Sequence, residues 1–208
     1  AFAGPAGASL DASAAVLRRG RSSAFVEARL HSEGQLALLG TFLFLAGRPS
    51  PAHIAGPAMP DAPSPEDAAP AMRGKGSGFT ARMEYRHALA PDARGAPLLM
   101  RWVRLHEREG LDAITELFLI GDALPPGIAP ALPAPPIGSS ANWTVNLHDP
   151  GIDPLDGWWL VRTEAVSASA GISVQHMAVW NRAGTPAVSA TQIVSFTVPD
   201  QNRGESHG

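Results

Sequence analysis

The stretch Asn181-Arg-Ala-Gly-Thr-Pro-Ala-Val-Ser-Ala-Thr-Gln-Ile-Val-Ser-Phe196 reads as a tight turn followed by a strand. Val188, Ala190, Gln192, Val194 and Phe196 alternate along it, the period-two pattern of a strand with one apolar face. A carboxamide sits in the middle of that face. A related stretch lies 150 residues earlier: Gly34 matches Gly184, Ala37 matches Ala187, Thr41 matches Thr191 and Ala28 matches Ala178. There the alternating face carries Leu38, Gly40, Phe42 and Phe44, so Phe42 stands where Gln192 does. A buried amide costs free energy unless its donors and acceptor find partners. One copy keeps the apolar residue and the other the polar one, which points to a duplicated fold with a single working site.

Outward from this pair, Ala12–Ala28 and Gln35–Ala46 read as three strands, broken at Arg19-Gly20-Arg21 and Glu33-Gly34. The first repeat therefore covers 1–48. Pro49–Gly78 holds seven prolines among Gly, Ser, Asp and Glu, the composition of a linker or long surface loop rather than of a core. The second repeat covers 79–198. It opens with strands over Phe79–His87 and Leu98–Glu107, and continues with a helix over Leu111–Ile120. Gly110 precedes that helix, Asp112 and Glu116 lie near its N-terminal half, and Gly121 with Pro125-Pro126 stops it. Its apolar residues cover most of its circumference, so it is expected to be largely buried. Strands follow over Ser139–His148, Trp158–Ser169, Gly171–Asn181 and Ala187–Val198, with a polar tail over 199–208. One helix against an antiparallel sheet is an α+β layer fold. The first half shows only the last three strands of this pattern. Its helix is expected before Ala1, or a partner chain is expected to fill the open face, as in a homo-oligomer.

With 45% hydrophobic and 17% charged residues, the 208-residue chain has matter for a packed core. A formal charge of −3 lacks the basic footprint of nucleic-acid binding. Without Cys there is no disulfide, thiolate metal site or cysteine nucleophile. No apolar run approaches membrane-spanning length, and the start shows no charged-then-apolar signal pattern. Basic residues are nearly all Arg, with Lys75 the lone Lys, a hint of a high-GC bacterial genome.

Three stretches stand in a telling order: Leu119-Ile-Gly-Asp-Ala-Leu-Pro125, Ser139-Ser-Ala-Asn-Trp-Thr-Val145, and Gly157-Trp-Trp-Leu160 followed by Gly184 and Ser189-Ala-Thr-Gln192. Together they resemble the acyl-CoA thioesterase II-like family, built as a double hotdog in which an antiparallel sheet wraps a long helix. The likeness covers nearly all of the second half and, more loosely, Leu10–Leu45. It implies a cytoplasmic enzyme of lipid metabolism that hydrolyses acyl-CoA with no cofactor. In that family an Asp after the helix, a Ser or Thr on the next strand and a Gln on the last strand hold the hydrolytic water. Those positions match Asp122, Ser140 and Gln192. The family often has an Asp two residues beyond the Ser or Thr, where this chain has Asn142, so Ser139 and Asn142 stay open as alternatives on that strand.

Thioester hydrolysis needs a nucleophilic water and donors for the oxyanion. Asp122 can take the proton, and a carboxylate at a helix C-terminus is disfavoured by the dipole, which raises its pKa. On its own Asp122 reads as a turn residue before Ala-Leu-Pro-Pro, and Ser140 as an ordinary strand hydroxyl. Arg18, Arg19 and Arg21 suit CoA phosphates but equally suit a solvated turn. The His residues show no metal spacing, and Trp102, Trp143, Trp158 and Trp159 read as packing. The rival reading is a catalytically silent acyl-CoA- or lipid-binding protein of the same fold. A hydratase is a weaker third, because Gly121-Asp-Ala-Leu-Pro-Pro-Gly127 lacks the His that hydratases of this fold carry.

Overall fold

A computed structural model describes residues 1–71, 78–89, 95–149 and 151–199. The chain falls into two compact units, Ala1–Ile54 together with Ser140–Asn142, and Ala55–Ser139 together with the chain from Trp143 onward. Beyond Pro199, the expected polar tail lies outside the described residues.

The first unit is an antiparallel meander of β1 (Asp11–Arg19), β2 (Ser23–Ser32) and β3 (Gln35–Leu45), in the order β1-β2-β3. Among its described residues there is no helix. Glu33 and Gly34 turn the β2–β3 hairpin with φ of 52° and 78°, a conformation that Gly adopts without Cβ strain. The register slips beside this turn, leaving Ala37 bulged between Leu36 and Leu38. The Ala37 carbonyl accepts from the Ala3 N–H at 2.8 Å. Phe42 and Phe44 are both exposed.

The second unit contains β4 (Met83–His87), β5 (Leu98–Leu105), α1 (Ala113–Gly121), β6 (Ile137–Leu147), β7 (Trp159–Ser169), β8 (Ile172–Asn181) and β9 (Pro186–Thr197). The sheet order is β4-β5-β7-β8-β9-β6, with α1 against β5, β7, β8 and β9. Gly184, with φ of 83°, ends the β8–β9 turn. The register slips at Ala187, which is again bulged, and its carbonyl accepts from His148 N–H at 2.9 Å. The two hairpins thus share a bulged Ala at the same offset of 150 residues that the sequence shows.

Two elements differ from expectation. Phe79–Arg82 form a 3-10 turn rather than the start of β4, closed by an Ala81 N–H bond to the Gly78 carbonyl. The helix begins at Ala113 because the Asp112 side chain accepts from Ile114 N–H and Thr115 N–H, which makes Asp112 the N-cap. The burial of α1 is also not the one its hydrophobicity implies. Leu119 is 43% exposed, whereas Glu116 is only 2% exposed. The carboxylate is tolerated because it is fully engaged: Arg108 Nε donates to both oxygens at 3.1 and 3.2 Å, and the Trp159 indole N–H donates at 2.7 Å. Arg108 packs so tightly on Gly157 (φ 82°) that a Cβ there would fall 2.2 Å from the guanidinium carbon. Arg108→Met leaves Glu116 as an uncompensated buried charge and is expected to cost about 3 kcal/mol in urea unfolding. Adding Glu116→Gln should recover much of that loss, and an equal loss in the double variant would refute the pairing.

The core has two sides. Facing α1 are Val103, Leu117, Ile120, Trp159, Val161, Val179 and Val188. On the other face lie Met100, Trp102, Trp158, Leu160 and Trp180, with Ala68, Met59 and Ala62 packed against them. Part of the proline-rich stretch therefore lies as a strap over this second face. The Trp180 indole N–H donates to the Pro57 carbonyl at 2.7 Å and the Trp102 indole N–H to the Pro63 carbonyl at 2.8 Å. Proline supplies an acceptor but no N–H needing a partner, so such a strap can cover apolar surface without leaving donors unpaired at those positions.

Candidate active site

Asp122 is the C-cap of α1, with φ −98° and ψ 15°. It stands where the last helical carbonyls lack amide partners and where a negative charge gains nothing from the dipole. Pro125 and Pro126 follow and keep the helix from continuing past it. Gln192 lies on β9, on the face shared with Val188, Ala190 and Val194, and is 3% exposed. The structure brings the two together: Gln192 Nε2 donates to Asp122 Oδ1 at 3.2 Å. Burial raises the Asp122 pKa above the usual carboxylate range, and the Gln192 hydrogen bond opposes that rise only in part. The direction matches the sequence argument, but burial rather than the dipole is the principal cause.

Ser140 is half-buried on β6, within the short stretch grouped with the first unit. Ser139 and Asn142, its alternatives, are exposed on the same strand. The Asp122–Gln192 pair is thus described within the second unit, and Ser140 and Asn142 within the first. Arg18, Arg19 and Arg21 are exposed at the end of β1 and in its turn. Among the described residues no cluster of three or more His, Asp or Glu could hold a metal ion.

Two neighbours shape the carboxylate's surroundings. Trp143 packs edge-on against Phe118, with ring centroids 5.8 Å apart, and lies over Gly121, where a Cβ would come within 2.9 Å of the indole. Tyr85 donates its hydroxyl to the Ala123 carbonyl at 3.2 Å, tying the chain just past Asp122 to β4. Beside α1 lies an apolar pocket of about 220 Å³ lined in part by Phe79, Met83, Leu105, Leu111 and Leu119. Leu119 precedes Asp122 by about one helical turn.

Sequence reasoning missed Gln175. It is fully buried on β8, directly across from Gln192 in the β8–β9 register. Its Nε2 donates to Gln192 Oε1, and its Oε1 accepts from the Gly127 N–H at 2.8 Å. The signal that would have found it was present: 150 residues earlier stands Phe25, so both glutamines replace phenylalanines of the first repeat.

A family model for the acyl-CoA thioesterase C-terminal domain matches residues 56–196. The chain belongs to that family. The matched span covers the strap, α1 and all six strands of the second unit's sheet. Solved structures extend the likeness over the first unit. A candidate thioesterase II of Thermobifida fusca superposes with a TM-score of 0.80 at 22% identity, covering 95% of this chain and 76% of that one. A hot dog protein of unknown function from Alicyclobacillus acidocaldarius gives 0.77 at 22% identity, over 91% and 73%. An acyl-CoA thioesterase II of Mycobacterium marinum gives 0.70 at 20% identity, over 91% and 74%. At these identities the likeness shows the fold, and the acyl-CoA thioesterase C-terminal domain is here a hotdog of α+β class. No curated protein matches the chain. Among the described residues no helix is long and apolar enough to cross a membrane.

Proposed function

We propose that this protein hydrolyses acyl-CoA to a free acid and CoA by direct attack of water on the thioester carbonyl. The observation that carries the reading is the hydrogen-bonded Asp122–Gln192 pair at the end of α1, in a chain of the acyl-CoA thioesterase C-terminal domain family. Asp122 is the general base. Its raised pKa makes it a better proton acceptor than an exposed carboxylate once it is ionised. Gln192 orients the carboxylate. Water adds to the carbonyl carbon as Asp122 takes its proton. The tetrahedral intermediate then collapses, breaking the C–S bond, and the proton passes to the departing thiolate.

The acyl chain is assigned to the apolar pocket beside α1, whose wall at Leu119 lies about one helical turn from Asp122. The test is release of free CoA from acyl-CoAs of graded chain length by the purified protein. Turnover that rises with chain length and then falls as the pocket is exceeded supports both assignments. Tight acyl-CoA binding without CoA release would instead favour the silent binding protein.

A further inference from the structure

We propose that Gln175 is a positioning residue that fixes the side-chain amide of Gln192 so that its NH2 group, not its carbonyl, faces Asp122. This rests on the reading of Asp122 and Gln192 as the pair that holds the water, and it adds a residue that acts through Gln192 alone.

An amide has a donor end and an acceptor end of nearly equal size, so its orientation follows from its partners. The chain of bonds begins at a group that cannot be reversed. The Gly127 backbone N–H only donates, and it points at Gln175 Oε1. Gln175 must then direct its NH2 the other way, where it meets Gln192 Oε1 and the Met177 thioether, 3.8 Å from the latter. A thioether is an acceptor only, so it sets the same orientation independently. With its Oε1 engaged by Gln175, Gln192 presents Nε2 to Asp122 Oδ1. The polarity set at Gly127 thus reaches the carboxylate through two side chains.

The anchor is itself well placed. Gly127 lies in the segment that follows α1, and a Cβ there would come within 2.8 Å of the Ala165 backbone nitrogen. Only glycine allows the segment to approach β7 this closely and bring its N–H to Gln175. Across the β8–β9 ladder Gln175 and Gln192 are direct partners, so neither can shift along its strand without breaking register. A reversed Gln192 would set its carbonyl oxygen against the carboxylate, two acceptors face to face, and would withdraw the donor that favours the ionised form.

Gln175→Met keeps the length of the side chain and removes its hydrogen bonds. We expect a fall in kcat of about tenfold with KM within about twofold, and a higher titration midpoint for the Asp122 carboxyl by carbon-13 NMR. The deciding comparison is a double-variant cycle. If Gln175 acts through Gln192, then Gln175→Met adds no further loss in a Gln192→Ala background. Additive losses, or wild-type turnover and midpoint in Gln175→Met, would overturn the proposal. A second measurement needs only the wild-type protein. The Gln192 side-chain NH2 resonances should shift with Asp122 ionisation, and NH2 resonances indifferent to it would also overturn the proposal. Because the titration midpoint and the NH2 resonances need no turnover, an inactive wild type with coupled resonances would refute the thioesterase reading and leave the Gln175 assignment standing. An active wild type without that coupling would do the reverse.

Discussion

Asp122→Asn is expected to lower kcat for acyl-CoA hydrolysis about a thousandfold, the scale of losing a general base, while acyl-CoA binding stays within about twofold. Asn keeps the shape of Asp and can still meet Gln192, so the loss falls on the chemical step. The same substitution has an expected effect on stability whose sign follows from burial. The Asp122 pKa is raised by burial, so the folded protein holds this proton more tightly than the unfolded chain does. The stability it contributes is fully present below the ordinary carboxylate pKa and is lost as pH rises through the higher folded value. At neutral pH Asp122→Asn should therefore unfold at a higher temperature than the wild type, and the gap should close as the pH is lowered. Thermal unfolding across a pH series, with CoA release measured in parallel, checks both halves. Wild-type turnover in Asp122→Asn would remove Asp122 from the mechanism and bring the silent binding protein forward.

Gln192→Phe places in the second repeat the residue that the first repeat carries at Phe42. It is expected to lower turnover by more than about a hundredfold, because the ring removes the amide and also displaces the groups beside Asp122, and misplacing a reacting group costs on the order of a hundredfold. Asp122 then loses the hydrogen bond from Gln192, and the larger ring occupies space beside it. Gln192→Ala, which removes the amide without filling the site, should lose about tenfold. The Phe variant should still fold. It leaves a Gln175 donor without its Gln192 acceptor, at a cost of about 1–2 kcal/mol, against which the added ring buries apolar surface. Steady-state kinetics beside circular dichroism separates these effects. A folded Gln192→Phe protein with full activity would refute the site as described.

The hairpins and the helix ends were legible because they are written locally. Gly34 and Gly184 announce turns by their freedom at positive φ, and both adopt it. The alternation from Val188 to Val194 states a strand with one buried face, and β9 buries that face. Asp112 and the Pro125-Pro126 pair bound the helix, although Asp112 proved to cap it from outside rather than lie within it. Even the bulged Ala37 and Ala187 stand in the sequence as matched residues, since a repeat of fold is a repeat of spacing.

Other features depend on groups far apart in the chain. Apolar circumference could not say that Glu116 would be buried and Leu119 exposed. That followed from Trp159, 43 residues on, and from Arg108, which together supply the partners a buried carboxylate needs. Proline content described the strap as a connector, yet the Trp102 and Trp180 indoles give its carbonyls partners on the sheet. The sequence by itself determined the α+β class and the matched spacing of the two hairpins, and its family resemblance singled out Asp122 and Gln192, which the fold joins by a hydrogen bond. Only the tertiary structure decided that Gln175 joins them, because the polarity of an amide is set by its partners in space, and those come from Gly127 and two neighbouring strands.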